Sequence, residues 1–389
     1  MTPPAPAADT NLSSLFTRAQ PLYSTQPLLR HAGRSVTHAE LNAAVDRLTG
    51  RLRAGGLRPG ERFLLLAANR PQWLAALLAA LRVGAIVVPV NPALTATEVG
   101  YMVEHAAPKA GVVDAALERL LPPGADFPRI RLPVDWESAL AGAPDTAVHP
   151  CLERDPAIMF YTSGTTGRPK GALLGHGAER LTADLVASHF RIGPQDVSLI
   201  ASPLSFIYPL VIDCLACMRA GATVVLQERF HPERALRAIE EERATLFMGV
   251  PTMFTMMLEW ADGRDVDLSS LRFCISAGQN LPWHVARRFR ERFGVVVYDL
   301  WGQTEGTPIT SYDPAIEAEG RPESCGRALP GCAVRVLDDA GRELPAGEVG
   351  EVLLSGPGVM LEYYRNAAAT AETLRAGWIH TGDLGKLDA

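Results

Sequence analysis

Residues 62–90 read RFLLLAANRPQWLAALLAALRVGAIVVPV, and the fold class follows from this stretch. Arg62–Ala67 is a short apolar run typical of a buried strand, and Ala85–Val90 is a second one. Between them, Trp73–Leu81 is apolar over the length of a helix and ends shortly before Gly84. A strand, a helix and a second strand at this spacing predict a parallel, doubly wound α/β sheet.

The same stretch is a poor candidate for a membrane span. Arg82 interrupts the apolar run from Trp73 to Val90, whereas a span needs about 20 uninterrupted apolar residues. The N-terminus, MTPPAPAADTNLSSL, has no basic segment followed by an apolar core, so it is not typical of a secretion signal. We therefore expect a cytoplasmic chain without a membrane span.

Composition narrows the class of protein further. The 389 residues are 47% hydrophobic and 21% charged, as in ordinary globular proteins, which excludes a disordered or collagen-like chain. With 37 basic and 43 acidic residues the formal charge is −6, so we expect no general attraction to nucleic acid or anionic membranes. Cys214 and Cys217 form a CxxC inside an apolar helical run, and we expect them to pack in the core rather than bind metal.

The alternation of strands and helices continues through most of the chain. In order, the further predicted elements are helix 41–55, strands 157–160 and 197–201, helix 211–219, strand 223–227, helix 232–242, strands 246–249 and 273–276, helix 282–293 and strand 295–298. After about Pro322 the sequence pattern changes to short strands in which polar and apolar residues alternate, with turns at 339–341 and 345–347. From these patterns we expect a loose start over residues 1–20, an α/β body, and a small antiparallel β unit after about Pro322.

The strongest local signal for chemistry is YTSGTTGRPKGA, residues 161–172, which follows a predicted strand. Glycines let backbone N–H groups approach phosphate oxygens, hydroxyls donate hydrogen bonds, and Arg168 and Lys170 supply charge. The Walker A pattern GxxxxGK[ST] does not match, because Lys170 is followed by glycine. Composition alone leaves a flexible surface loop as the alternative.

Two further segments lie where ligands of such sheets bind. DLWGQTEGTP, residues 299–308, directly follows a predicted strand, and ligands bind beyond the carboxyl ends of parallel strands. Glu305 could hold Mg²⁺ against a nucleotide phosphate, and Trp301 could stack on a base. In WIHTGD, residues 378–383, Asp383 could accept hydrogen bonds from a ribose diol. Taken singly, Glu305 could equally be a solvated charge, Trp301 could be a ring in the core, and Gly382-Asp383 could be a common turn.

Together the three segments resemble the adenylate-forming enzymes, which comprise acyl- and aryl-CoA ligases, NRPS adenylation domains and luciferases. SGTTGRPKG, GQTE and TGD occur in the family's order, and the likeness runs from about residue 28 to the end. The resemblance implies the family's large N-terminal domain, with two doubly wound α/β subdomains and a small β-barrel. The implied bounds are a loose segment 1–27, an α/β AMP-binding body of two subdomains over 28–321, a small antiparallel β subdomain over 322–380, and a hinge stub over 381–389. It also implies an ATP-dependent, Mg²⁺-dependent reaction of a carboxylic acid, which gives an acyl-AMP, releases pyrophosphate and normally passes the acyl group to coenzyme A.

The resemblance also assigns roles to individual residues. The phosphate loop, residues 162–170, would hold the β- and γ-phosphates of ATP. Thr304 would contact the α-phosphate and Glu305 would bind Mg²⁺, so Thr304 and Glu305 are the predicted catalytic residues. Asp299 and Trp301 would meet the adenine, Asp383 the ribose, and the segment 276–278 the other side of the adenine slot. The cofactor-binding set is Thr162, Ser163, Gly164, Thr165, Thr166, Gly167, Lys170, Ser276, Ala277, Gly278, Asp299, Trp301, Thr304 and Asp383.

Relatives of this kind carry a smaller C-terminal domain after a hinge that follows TGD. Here the sequence stops at GDLGKLDA, with Asp388 at the expected hinge position. The resemblance places the catalytic lysine of adenylation in that further domain, so Lys170 is not its equivalent. We therefore expect this chain to bind nucleotide and acid, to adenylate slowly at best, and to fail at thioester formation.

The choice of acid should depend on SPLSFIYPL, residues 202–210. Phe206 and Tyr208 align with the two aromatics of benzoate-type ligases, and aromatic walls favour a flat ring. Ile207 stands where amino-acid-activating relatives keep an Asp, which argues against an α-amino acid. The predicted substrate-binding residues are Phe206, Ile207, Tyr208, Gly278, Gly302, Thr307 and Pro308, with Asp213 as an additional candidate.

Several alternatives stay open at this point. Phe206 and Tyr208 could be core or gate residues, and the acid could be a small or medium aliphatic one. The acceptor could be a carrier protein or an amine, or nitrite could be activated for diazo or N–N chemistry. A module that only binds nucleotide and acid is the alternative outside catalysis, although such a module has no need of Glu305. The oligomeric state is not readable from the sequence.

Overall fold

The computed structural model describes residues 10–23, 25–162, 168–306 and 308–388, with the backbone alone for residues 17–21. Helices and strands alternate through most of the chain. The strands are β1 (Pro27–His31), β2 (Arg34–Thr37), β3 (Arg62–Leu66), β4 (Ile86–Pro89), β5 (Ala110–Asp114), β6 (Arg129–Leu132), β7 (Pro156–Thr162), β8 (Lys170–Gly175), β9 (Val197–Ile200), β10 (Thr223–Leu226), β11 (Leu246–Gly249), β12 (Phe273–Ser276), β13 (Val297–Trp301), β14 (Thr310–Ser311), β15 (Arg327–Ala328), β16 (Ala333–Leu337), β17 (Gly350–Ser355), β18 (Glu362–Tyr363), β19 (Leu374–Arg375) and β20 (Trp378–Gly385). The α-helices are α1 (Ser14–Tyr23), α2 (His38–Ala54), α3 (Pro71–Val83), α4 (Ala96–Ala106), α5 (Trp136–Ala139), α6 (His176–His189), α7 (Ala216–Ala220), α8 (Pro232–Glu241), α9 (Pro251–Trp260), α10 (Trp283–Phe293) and α11 (Ala367–Thr373).

The strands form two large mixed sheets and one small antiparallel sheet. The first large sheet has nine strands in the order β15-β14-β13-β12-β11-β9-β10-β1-β2, and its strands from β13 to β1 are parallel. The second has seven strands in the order β18-β8-β7-β4-β3-β5-β6, with β8 and β18 antiparallel at one edge. The predicted α/β fold with parallel sheets is confirmed.

The small sheet has the order β16-β17-β20-β19 and is antiparallel throughout. Among the described residues its strands are linked in an open row of four, in place of the closed ring of a barrel. Strand β20 runs on to Gly385, so the residues predicted as a stub from 381 begin inside this sheet. Strand β18 leaves it and pairs with β8 of the seven-stranded sheet, with Tyr363 opposite Ala172.

Local sequence explains where the helices start and stop. Thr37 caps α2 in a capping box with Glu40, whose backbone N–H donates to the Thr37 hydroxyl while its carboxylate accepts from the Thr37 N–H. Helix α3 begins with proline and ends at Gly84, whose φ of 86° lies in the left-handed region. Arg82 on α3 is 1% exposed and pairs with Asp46 of α2. Its charge is therefore neutralised inside the core.

No helix in the described part of the chain is long and apolar enough to cross a membrane. The prediction that Cys214 and Cys217 pack in the core is confirmed, because neither has exposed surface. Cys217 donates to the carboxylate of Asp213 at 3.6 Å, and Cys214 lies 3.8 Å from the sulfur of Met218.

One local prediction was wrong. Residues 10–23 are not loose: α1 starts at Ser14, and Leu12 and Phe16 are at most 2% exposed. The apolar residues Leu12 and Phe16 anchor this segment in the core despite the Pro- and Ala-rich sequence before it. The helix predicted over 211–219 is present, but it is π-helical from Tyr208 to Leu215 and becomes α7 only at Ala216. π-helical turns occur frequently at functional sites, and this one adjoins the cleft described below.

Candidate functional site

The main cavity is an open cleft of about 1370 Å³ with residues from all three sheets in its walls. Thr162 and Lys170 come from the seven-stranded sheet, Thr304 and Glu305 follow β13 of the nine-stranded sheet, and His380 belongs to the small sheet. The predicted phosphate, GQTE and TGD segments thus converge on one cleft. Ser163, Gly164, Thr165, Thr166, Gly167 and Thr307, which were also predicted to bind ligands, lie outside the described residues.

Glu305 is the most tightly held of the predicted catalytic residues. Its carboxylate oxygen Oε1 accepts one hydrogen bond from the Thr162 hydroxyl at 3.0 Å and another from the Tyr363 hydroxyl at 2.7 Å. Its carbonyl accepts from the backbone N–H of Met360 at 2.8 Å. Glu305 is 8% exposed, yet it lines the cleft together with Thr304. The carboxylate is therefore fixed in direction at the cleft wall.

Lys170 supplies positive charge beside Glu305. This residue starts β8 and pairs directly opposite Thr162 of β7. Its ammonium lies 4.2 Å from the centre of the Tyr363 ring, close enough for a cation–π interaction. The cation and the two hydroxyls that bind Glu305 therefore all belong to one edge of the seven-stranded sheet.

Asp383 and Trp301 are brought together by the fold. The indole N–H of Trp301 donates to Oδ2 of Asp383 at 3.3 Å, and the Gln303 amide donates to the same oxygen at 3.1 Å. The Gln303 amide also donates to the carbonyl of Thr381 at 3.1 Å. These bonds hold the TGD turn beside the GQTE segment. Neither Asp383 nor Trp301 lines the described wall of the cleft, whereas the neighbouring Gly382 does.

Three more predicted site residues do not line the cleft as far as its wall is described: Asp299, Ser276 and Pro308. Asp299 faces a second cavity of about 20 Å³, and burial raises its pKa to about 7. A cavity of this size has room for about one water molecule. Ser276 is fully buried, and Pro308 is buried with its carbonyl bonded to the thiol of Cys332 at 3.3 Å. Ala277, Gly278 and Gly302 do line the cleft.

The predicted acid-binding residues form an apolar part of the wall. Phe206 is 46% exposed and lines the cleft with Ile207 and Tyr208. The apolar side chains on this part of the wall are Phe206, Ile207, Ile212, Val250, Met253 and Leu300. The Tyr208 hydroxyl donates to the carbonyl of Ile275 at 3.1 Å, which fixes the ring against β12.

Asp213 lies behind this wall rather than on it. The carboxyl group has no exposed surface, and its Oδ1 accepts from the Ser198 hydroxyl at 2.7 Å. Its Oδ2 has no hydrogen-bond partner among the described residues. Burial raises the pKa of Asp213 to about 7, although the Ser198 and Cys217 donors oppose this rise. Asp213 is therefore a buried acid beneath the pocket.

Neither Tyr363 nor Gln303 was predicted from the sequence to have a role in the site. Tyr363 belongs to LEYY, where two adjacent tyrosines offer no signal to tell which one faces the cleft. Its position depends on the two-residue strand β18, which is too short to be predicted from periodicity. Gln303 was visible inside GQTE, but its partner Asp383 lies 80 residues further along the chain.

The donor set suits a cation that is held largely by phosphate oxygens. Among the residues that the structure describes, no group of three or more His, Cys, Asp or Glu side chains is arranged to hold a metal ion. Mg²⁺ usually takes one or two carboxylates and completes its shell with substrate phosphates and water. Glu305 offers one such carboxylate at the cleft wall.

Comparison with known proteins identifies the family. The family described as "AMP-binding enzyme" matches residues 16–364. The chain belongs to this family.

Two of its relatives are CoA ligases of different acids. The chain is 36% identical to a feruloyl-CoA synthase of Amycolatopsis sp over 92% of this chain and 73% of the relative. It is 31% identical to a 3-hydroxybenzoate–CoA ligase of Aromatoleum sp. (strain CIB), over 93% of this chain and 72% of the relative. The chain is thus an enzyme of the adenylate-forming, acid–thiol ligase type.

Solved structures show the same fold. The crystal structure of the anthranilate CoA ligase AuaEII in complex with anthranoyl-AMP matches with a TM-score of 0.91 and 26% identity, over 97% of this chain and 75% of that one. Apo MatB from Rhodopseudomonas palustris matches with a TM-score of 0.88 and 29% identity, over 98% of this chain and 77% of that one. The adenylate-forming fold class predicted from the motifs is therefore confirmed.

Proposed function

We propose that this chain uses Mg-ATP to activate an aryl carboxylic acid as acyl-AMP, for transfer of the acyl group to the thiol of CoA. The observation that carries the proposal is the convergence of Thr162, Lys170 and Glu305 on one cleft wall beside an apolar pocket. The cleft brings a cation, hydroxyls and one fixed carboxylate together, as a site for a metal-bound triphosphate requires.

The chemistry is attack of a substrate carboxylate on the α-phosphorus of ATP, which forms an O–P bond and expels pyrophosphate. Both reactants are anions, so the site must align them and offset their charge. Lys170 would bind a phosphate oxygen, and Thr304 would donate to the α-phosphate. When Mg²⁺ is bound, it neutralises phosphate charge, and Glu305 would hold it. Asp383 would accept hydrogen bonds from the ribose.

The aryl substrate is supported by the apolar wall and by the relatives. Phe206 and Tyr208 present aromatic surface to the cleft, and a flat ring gains most from such walls through burial and stacking. The 3-hydroxybenzoate–CoA ligase and the anthranilate CoA ligase are named for acids with the carboxyl group on the aromatic ring. Feruloyl-CoA synthase is named for an acid whose carboxyl group is on a chain attached to such a ring.

A second candidate differs in both the acid and the acceptor. The chain is 31% identical to the fatty acid–[acyl-carrier-protein] ligase ScoC of Streptomyces coeruleorubidus over 94% of this chain and 72% of the relative. An aliphatic acid would also fit an apolar wall. A carrier-protein thiol is therefore the alternative acceptor.

The test is a thermal-shift screen with Mg-ATP and matched benzoates, fatty acids and amino acids. A ligand at a hundredfold excess over its Kd raises the free energy of unfolding by about 2.7 kcal/mol. We expect a selective shift with one or more aryl acids and loss of the Mg-ATP shift in Glu305→Ala. A fatty acid that shifts the chain more than any benzoate would move the second candidate ahead. No shift with Mg-ATP would refute the proposed function.

A further inference from the structure

The contacts around Glu305 point to a role for Tyr363. We propose that Tyr363 is a positioning residue that, together with Thr162, orients the Glu305 carboxylate to receive the Mg²⁺ of Mg-ATP. This inference rests on the proposed function and adds a residue for which the sequence suggested no role.

Two hydroxyl groups hold the Glu305 carboxylate by one of its oxygens. Tyr363 and Thr162 both donate to the same oxygen, Oε1, at 2.7 and 3.0 Å. Among the described residues nothing hydrogen-bonds to the other oxygen, Oε2. Two donors on one oxygen fix the plane of the carboxylate and leave the second oxygen available at the cleft wall, as a single-oxygen metal ligand requires.

The two hydroxyls and the carboxylate come from different large sheets. Thr162 lies at the end of β7, and Tyr363 lies on β18, which is hydrogen-bonded to the neighbouring β8. Glu305 arrives from the other large sheet, after β13. Its backbone is fastened to the same segment, since Met360 donates to its carbonyl and Gly306 forms a bridge with Val359. Both hydroxyls therefore stand on one sheet edge and hold a carboxylate supplied by the other sheet.

The Tyr363 ring also contacts a positive charge of the proposed site. Lys170, whose ammonium lies 4.2 Å from the centre of the Tyr363 ring, sits on the face of the same side chain. Tyr363 thereby contacts both the carboxylate and the cation of the proposed site.

The adjacent tyrosine provides a matched control. Tyr364 is partly exposed, and its ring contacts His105, Arg62 and Arg365 on the outer side of the segment. Within the described part of the chain, the hydroxyl that bonds Glu305 from this segment is that of Tyr363 and not that of Tyr364. Tyr364→Phe removes the same atom from the next residue and should leave the site unchanged.

The experiment measures metal binding directly. Mn²⁺ is titrated into wild type, Tyr363→Phe and Tyr364→Phe in the presence of α,β-methylene-ATP, and free Mn²⁺ is followed by electron paramagnetic resonance. Loss of an outer partner of a metal ligand typically weakens metal binding 10–100-fold. We expect a roughly tenfold rise in the Mn²⁺ dissociation constant for Tyr363→Phe, no change for Tyr364→Phe, and an unchanged Tm in both.

Two further variants separate orientation from folding. Thr162→Val removes the second hydroxyl at constant shape and should also weaken Mn²⁺ binding, whereas Thr162→Ser keeps the hydroxyl and should restore it. If Tyr363→Phe lowers Tm, the comparison of Thr162→Val with Thr162→Ser tests whether a hydroxyl bonded to Glu305 strengthens Mn²⁺ binding.

The possible failures are distinguishable. Wild type that binds neither Mn²⁺ nor the nucleotide analogue overturns the proposed function itself. Wild type that binds both, with Tyr363→Phe and Thr162→Val binding as tightly, overturns the positioning role and leaves the proposed function standing.

Discussion

Replacing Asp213 by asparagine should make the protein more stable at neutral and alkaline pH. The carboxyl is fully buried, and burial raises its pKa from 3.8 to about 7. Folding therefore keeps a proton on Asp213 that the unfolded chain gives up above pH 3.8. The stability that depends on this proton is complete below that pH and is lost as pH rises to 7.

The size of the effect follows from the two pKa values. Each pH unit between them contributes 1.36 kcal/mol, so the gap from 3.8 to about 7 amounts to about 4 kcal/mol. In Asp213→Asn the new amide would match the shape of the neutral acid, and its oxygen would still accept from Ser198. The difference in unfolding free energy, variant minus wild type, should therefore grow by about 4 kcal/mol between pH 4 and pH 8.

Urea denaturation of both proteins at half-unit steps from pH 4 to pH 8 measures this difference. Asp267→Asn is the control: Asp267 is exposed, and hydrogen bonds from Ser269 lower its pKa, so any pH dependence there should have the opposite sign. A difference for Asp213→Asn that stays flat across this range would refute the reasoning, because it would mean that Asp213 is ionised in the folded protein.

Three further predictions concern a helix cap, a glycine and the ribose ligand. Thr37→Ala removes the capping box of α2 and should lower the unfolding free energy by about 1 kcal/mol in urea denaturation. Gly326→Ala should cost about 3 kcal/mol or more, because its Cβ would overlap main-chain atoms of Ser311 in β14, whereas Gly331→Ala, also at positive φ but in open space, should cost only about 1 kcal/mol. Equal losses in the two glycine variants would contradict the steric argument. Asp383→Asn should weaken ATP binding in titration calorimetry by about tenfold through loss of a charged acceptor, and unchanged affinity would remove the ribose assignment.

The large sheets were predictable because their strands are buried on both faces and read as continuous apolar runs. Leu246–Gly249 and Phe273–Ser276 have the predicted bounds, and all eight residues are buried. The π-helical stretch before Ala216 was read as an ordinary helix, since a widened turn has the same apolar composition as a regular one.

Pairings between distant segments could not be predicted in this way. Strands β1 and β2 join the nine-stranded sheet although they precede the strands of the seven-stranded sheet. Strand β18 has two residues, and its place is set by Leu173 and Ala172 on the partner strand. The motifs identified the cleft, but Tyr363 acts through a contact with Glu305 across 58 positions, which a local pattern does not record.

The return of β18 to the seven-stranded sheet matters for any attempt to recombine this enzyme with a relative. A crossover at residue 322, where the sequence texture changes, would replace Tyr363 and Asp383 while keeping Glu305, Thr162 and Lys170. Such a hybrid would join a foreign β18 to the native β8 and set a foreign side chain against Glu305. A crossover just after Arg365 would exchange β19, β20 and the TGD turn but keep the hydroxyl that binds Glu305. Hybrid libraries with junctions at these two points would therefore separate inheritance of the proposed ribose contact from inheritance of the contact between Tyr363 and Glu305.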